Sequence, residues 1–148
     1  MKFSINYIGV FLCGTLASYC MASYCVADVR VDNAWIKLAP PSATVNAAYM
    51  QLTNLQLQAQ TIVDVSADCC AMAMLHQIRQ EGDKVSMAHL DQLVVPPQSS
   101  VQLAPGGMHI MLMNAHEKLS LNRQVIITLK FDDGHSQTIE LAVKKDEQ

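Results

Sequence analysis

The sequence predicts an all-β protein: one domain, folded as a Greek-key β-sandwich or barrel. Three observations carry this. Residues 28–148 hold no long stretch of helical periodicity, short alternating or β-branched runs recur through them, and turn residues interrupt those runs every eight to twelve positions. Seven to nine short strands punctuated this way fit a sandwich or a closed barrel better than any helical architecture.

Taken in order, Val29 to Leu38 (VRVDNAWIKL) partly alternates and is broken by Ala39-Pro40-Pro41-Ser42. Ala47 to Thr53 alternates again, and Thr61 to Val65 (TIVDV) is β-branched. Leu75 to Ile78 leads into Glu81-Gly82-Asp83, and Lys84 to His89 leads out, a pattern that reads as a hairpin. Leu93 to Val95 runs into Pro96-Pro97, and Val101 to Leu103 into Pro105-Gly106-Gly107. Met108–Met113, Gln124–Phe131 and Gln137–Val143 complete the set, the last two joined by a turn at Asp132-Asp133-Gly134.

The bulk composition narrows the function classes. At 148 residues the chain is long enough for one domain with a core of its own. A net charge of −3, with no lysine- or arginine-rich stripe, gives no reason to expect nucleic acid or an anionic membrane surface as partner. No serine, histidine and acid set and no phosphate-cradling glycine loop supports a hydrolase or a nucleotide enzyme.

Residues 1–27 read as a secretory signal peptide: Lys2, an apolar stretch from about Tyr7 to Ala17, then small residues ending in Cys25-Val26-Ala27. The uncharged run ends in serines with no stop-transfer charges, so the chain is not expected to span a membrane after cleavage. A tyrosine precedes both Cys20 and Cys25, which fits no lipid-attachment site. Cleavage after Ala27 leaves a domain over 28–148 in an exported, periplasmic setting, with Cys69 and Cys70 as its cysteines. Adjacent cysteines make neither a stapled scaffold nor the C-x-x-C of a thiol oxidoreductase.

The stretch Met108-His109-Ile110-Met111-Leu112-Met113 is unusual, because methionine specifies strands poorly but ligates soft metals well. The two-residue strand period puts His109, Met111 and Met113 on one face, and Met108, Ile110 and Leu112 on the other. Upstream, a hairpin across Glu81-Gly82-Asp83 brings His76 and Met87 within cross-strand reach. Two imidazoles and two thioethers, with no carboxylate, disfavour calcium, magnesium and zinc and suit copper, Cu(I) above Cu(II).

The spacing H-x10-M-x21-H-x-M, from His76 through Met87 and His109 to Met111, resembles the motif of the PCu(A)C family of periplasmic copper chaperones. The flanks agree: AWIKLAPPSATVNAAYMQLTN, with Trp35, Pro40, Ala48, Tyr49 and Asn54, is similar to the family's opening, and LAPGGMHIMLMN to its most recognisable segment. The resemblance implies a cupredoxin-like β-sandwich and an exposed Cu(I) site held by His76, Met87, His109 and Met111. It also implies a non-enzymatic role: delivering copper to an acceptor such as the CuA centre in subunit II of cytochrome c oxidase, alongside a Sco-type thiol protein.

The sequence departs from the family at Gln77 and at Ala88-His89, where acidic or small polar and basic residues, respectively, are commoner. It also carries extra soft donors in ADCCAMAML. Cys69, Cys70, Met72, Met74 and His89 therefore stand as auxiliary candidates. Met72 and Met74 are expected as core methionines on an irregular strand, Met113 as a packing residue, and His116 and His135 as solvated surface. Two other readings compete with the chaperone: a redox or copper-reducing protein using Cys69-Cys70, and a secreted interaction module whose methionines only pack.

Overall fold

The computed structural model describes residues 29–40 and 42–145. The expected signal peptide, with Cys13, Cys20 and Cys25, lies outside them. The described residues form ten strands and no helix: β1 Val29–Lys37, β2 Val45–Asn54, β3 Gln60–Ala67, β4 Cys70–Glu81, β5 Lys84–His89, β6 Leu93–Val95, β7 Ser100–Leu103, β8 Met108–Ala115, β9 Gln124–Phe131 and β10 Ser136–Lys144. The all-β expectation holds, and the strand count exceeds the seven to nine expected. The largest boundary difference is β4, which starts at Cys70 and not Leu75, because Cys70 and Met72 pair with Ala115 and Met113 of β8.

The strands run in the order β5-β4-β8-β7-β2-β1-β10-β9-β3-β6, with β8 also paired to β2. The sheet folds back on itself, since β3 packs against β4 although the two stand near opposite ends of that order. Apolar side chains from many strands fill the space between. β9 shows the rule most clearly: Val125, Ile127, Leu129 and Phe131 are fully buried at every second position. Ile36, Met50, Leu52, Ile110, Leu112, Leu141 and Val143 extend this core.

An irregularity in β1 decides which face Trp35 joins. The strand carries a bulge, with the register on β2 shifting between Asp32 and Trp35 and Asn33 at φ 51°. The extra residue flips the strand's parity. Val31 and Ala34 pack against the core together with Ile36, while Trp35 turns to the opposite face, beside Tyr49. At the far end of β2, Asn54 is fully buried and satisfied: its Nδ2 donates to the carbonyls of Gln58 and Val95, and its Oδ1 accepts from Gln56 N–H. It fixes the β2–β3 connection.

Candidate metal centre

β8 divides its side chains as its period requires. Ile110 and Leu112 are buried in the core, and Met108 packs against it. His109, Met111 and Met113 occupy the other face, where strand pairing sets their neighbours. Across to β4, His109 faces His76, Met111 faces Met74 and Met113 faces Met72. Across to β2, Met111 faces Ala47 and Met113 faces Val45.

Continued outward, the register aligns five rings across five strands: Trp35, Tyr49, His109, His76 and His89. Their successive ring centroids lie 5.1, 6.4, 6.1 and 5.6 Å apart. Trp35 and His109 are 3% and 5% exposed, whereas the His89 side chain on the edge strand is half exposed. The row therefore runs from the interior to the rim. The bulge in β1 puts Trp35 into it.

Met87 joins from β5. The two-residue turn at Gly82-Asp83, with Gly82 at φ 61°, sets Glu81 opposite Lys84 and so Ile78 opposite Met87 and His76 opposite His89. Met87 is thus a diagonal neighbour of His76, and His89 is the direct one. The sequence expectation of His76 and Met87 within reach holds in this diagonal form. That His89 pairs squarely with His76 was readable by counting outward from the turn. A largely apolar groove of about 360 Å³ brings Met87, His109 and Met111 together, walled by Tyr49, Ile78 and Ala47. His76 stands beside it through its contact with His109.

The protonation states suit ligation. His109 Nδ1 lies 3.2 Å from the Gly107 carbonyl; as donor to it, Nδ1 carries the proton and leaves Nε2 a lone-pair base. Gly107 belongs to the Pro105-Gly106-Gly107 turn, closed by Gly107 N–H on Ala104 O. The turn thus orients the imidazole that follows it. His76 Nδ1 is buried with no hydrogen-bond partner, the state of a polar atom that a bound metal would satisfy. Burial, and then the neighbouring imidazoles of His109 and His89, hold His76 below the usual histidine range, which keeps it neutral. Among the described residues no group of three His, Cys, Asp or Glu side chains is placed to hold a metal, so the thioethers are the further donors this face offers beside the imidazoles.

The remaining candidates fall elsewhere. Cys69 and Cys70 are buried in the core and reduced, and Cys70 Sγ donates to the Met72 carbonyl at 3.2 Å. Burial, and next the adjacent Cys70, push the Cys69 thiol up to about 12, so it is no thiolate at neutral pH. Met72 and Met74 are not core residues: β4 is regular there, and both side chains sit on its outer face, Met72 at 40% exposed. His116 is exposed as expected. His135 is partly covered, stacked on Phe131 with centroids 4.1 Å apart and hydrogen-bonded to Asp133.

Comparison with known proteins agrees with this architecture. The chain superposes on the copper-bound PCuAC domain from PmoF2 with a TM-score of 0.69, over 83% of this chain and 97% of that one, at 23% identity. It is 28% identical to the Cu(I) form of DR1885 from Deinococcus radiodurans, at a TM-score of 0.68 over 88% and 87% of the two chains. In sequence it is 29% identical to "Putative lipoprotein Lxx21020" of Leifsonia xyli subsp. xyli, over 78% of this chain and 69% of that protein. "Uncharacterized protein RP573" of Rickettsia prowazekii is 26% identical, and there the match spans 56% of the relative's length. The fold is therefore the cupredoxin-like fold of PCuAC domains. The model of the family "Putative lipoprotein LpqE-like" matches residues 29–143, and the chain belongs to that family.

Proposed function

We propose that this protein is a copper chaperone that binds Cu(I) through His76, Met87, His109 and Met111 and passes it to an acceptor. The observation that carries the reading is the alignment of His76 with His109 in one register row, with Met87 and Met111 facing the same groove. Two neutral imidazoles and two thioethers form a soft, uncharged set that favours Cu(I). The likeness to copper-bound PCuAC structures supports the choice of metal.

The geometry also suits handover. His109 is buried and held by its turn, a fixed anchor. Met87, on the edge strand β5, is 52% exposed. An incoming donor from a partner can replace its thioether first, so copper leaves by stepwise ligand exchange with no unfolding. The acceptor we infer is the CuA centre in cytochrome c oxidase subunit II, with a Sco-type thiol protein as companion. The signal peptide over residues 1–27 would place the mature domain, 28–148, in the periplasm. The lipoprotein naming of the relatives supports an envelope setting.

The test is anaerobic Cu(I) titration against a competing chelator, for the wild type and for His109→Ala and Met111→Leu. Loss of high-affinity binding in both variants supports the assignment. Retention in both, with loss on replacing Cys69 and Cys70 by serine, overturns it in favour of the thiols.

A further inference from the structure

We propose that Met72, Met74 and Met113 form a second Cu(I) site, made only of thioethers, beside the His/Met centre. The outer face of the β4–β8 ladder reads, pair by pair, His76–His109, Met74–Met111 and Met72–Met113. Six successive positions on one sheet face are imidazoles or thioethers, and none is a β-branched residue or a Phe, Tyr or Trp, the types that suit a strand surface. Met72, Met74 and Met113, the methionines of this ladder outside the four-donor set, are absent from the core and its packed fringe. Met72 is 40% exposed, and Met74 and Met113 are half-buried. Packing does not explain them.

Their placement lets the sulfurs converge. Met72 and Met113 are direct cross-strand partners, whose Cβ atoms in such pairs lie about 4.5–5.5 Å apart, and Met74 is the next residue on the same face of β4. Methionine's flexible, unbranched side chain spans the remaining distance to a common ion. A cavity of about 290 Å³ opens beside Met72 and Met74, between β3 and β4 and on the side away from Met113, walled also by Cys70 and Asp64. The Asp64 carboxylate adds negative charge there, while the Cys70 thiol is buried and donates to the Met72 carbonyl. Three neutral, soft donors select Cu(I) over Cu(II) and over zinc. Met111, opposite Met74, is the thioether through which an ion would pass between this trio and the His/Met centre by ligand exchange.

The trio shares no residue with the four donors of the His/Met centre, so the two sites fail separately. The experiment is anaerobic Cu(I) titration of the protein against a competing chelator, with the methionine ε-methyl resonances followed by NMR. The wild type should bind two equivalents, the Met72→Leu/Met113→Leu variant one, and His109→Ala should keep the equivalent that shifts the Met74 methyl. Leucine keeps volume and apolarity, and circular dichroism checks the fold; should the double variant not fold, Met74→Leu is read in the same way. Without reductant, Cu(II) should fill no second site. A single wild-type equivalent that His109→Ala abolishes, or two equivalents retained in the methionine variant, overturns the trio and leaves the His/Met centre standing. A single equivalent lost only in the methionine variant supports the trio and overturns the His/Met centre.

Discussion

Two hairpins of this molecule are built to opposite specifications. In β9–β10, every second residue of β9 is fully buried, and Phe131 is covered by His135 at the turn. In β4–β5, no residue of β5 is buried, and Val85 and Met87 are 68% and 52% exposed. Both hairpins close on a glycine at positive φ, Gly134 and Gly82. The first hairpin holds the fold together. In the second, Leu75 anchors β4 in the core, while β5 is an edge strand that buries no residue and presents Met87 and His89 to solvent. The proposed exchange of a metal at Met87 suits a strand on which little stability depends.

The largest expected contrast separates these roles. Phe131→Ala removes a fully buried ring and should cost about 3–5 kcal/mol, seen as a fall in Tm of roughly 10–20 °C. The protein that remains folded should bind Cu(I) as before. Met87→Leu should do the reverse: stability within about 1.5 kcal/mol of wild type, but Cu(I) affinity down by more than about tenfold, or ~1.4 kcal/mol. If Met87→Leu destabilised the protein as much as Phe131→Ala, β5 would be structural and the contrast false.

An acid titration sharpens the same point. The folded-state pKa of His76 lies below its unfolded value of about 6.5, so between the two the unfolded chain binds the additional proton. The stability tied to neutral His76 is present above about pH 6.5 and is lost as pH falls through the lowered folded value. Chemical denaturation of the metal-free protein from pH 7.5 to 5 should show this loss, and His76→Gln should remove that part of it. The part of the acid loss of Cu(I) affinity that comes from His76 should set in only below about pH 6.5, since a lowered pKa keeps that imidazole available in more acidic solution.

The sequence was informative where the alternation was clean. Gln124–Phe131, Lys84–His89 and Leu93–Val95 are strands with the expected bounds. The inward and outward faces of β8 follow from its period of two. It was least informative where a side chain's setting depends on a distant strand. Cys70-Ala71-Met72-Ala73-Met74 has weak strand propensity and becomes regular β4 because β8 pairs with it, which puts Met72 and Met74 outside the core. The bulge at Asn33 is announced only by the Asp32-Asn33 pair, residues that suit positive φ better than a strand, yet it decides which face Trp35 joins. Chemistry and spacing point to the proposed donors; their order along the row of rings needed the register.

Gly82→Ala tests the edge hairpin alone. A Cβ at Gly82 would meet nothing within 4 Å, so the cost is only that of holding alanine at φ 61°, about 1–2 kcal/mol. That strain falls on the turn that sets Met87 against Ile78 and His89 against His76. Thermal unfolding should report the cost, and Cu(I) competition a loss smaller than that of Met87→Leu. The same substitution at Gly134, φ 90°, should affect stability and leave copper untouched.

The smallest effect is expected at His89, where it separates an electrostatic neighbour from a ligand. His89 is half exposed, and its Nε2 lies 3.6 Å from the fully exposed Asp91 carboxylate, a surface pair worth little to stability. His89→Ala should therefore leave Tm almost unchanged. Cu(I) affinity at pH 7 should also change little, because the four proposed donors are other residues. The variant nevertheless removes one of the two imidazoles whose charge opposes protonation of His76. Without it the His76 pKa rises toward the ordinary value, so acid loss of Cu(I) binding should begin at higher pH than in the wild type. Following the His76 ring protons by NMR across pH 5 to 8, with and without Cu(I), measures the shift directly. A large drop in Cu(I) affinity at pH 7 would instead make His89 a ligand, with its direct position opposite His76 more important than the diagonal one held by Met87.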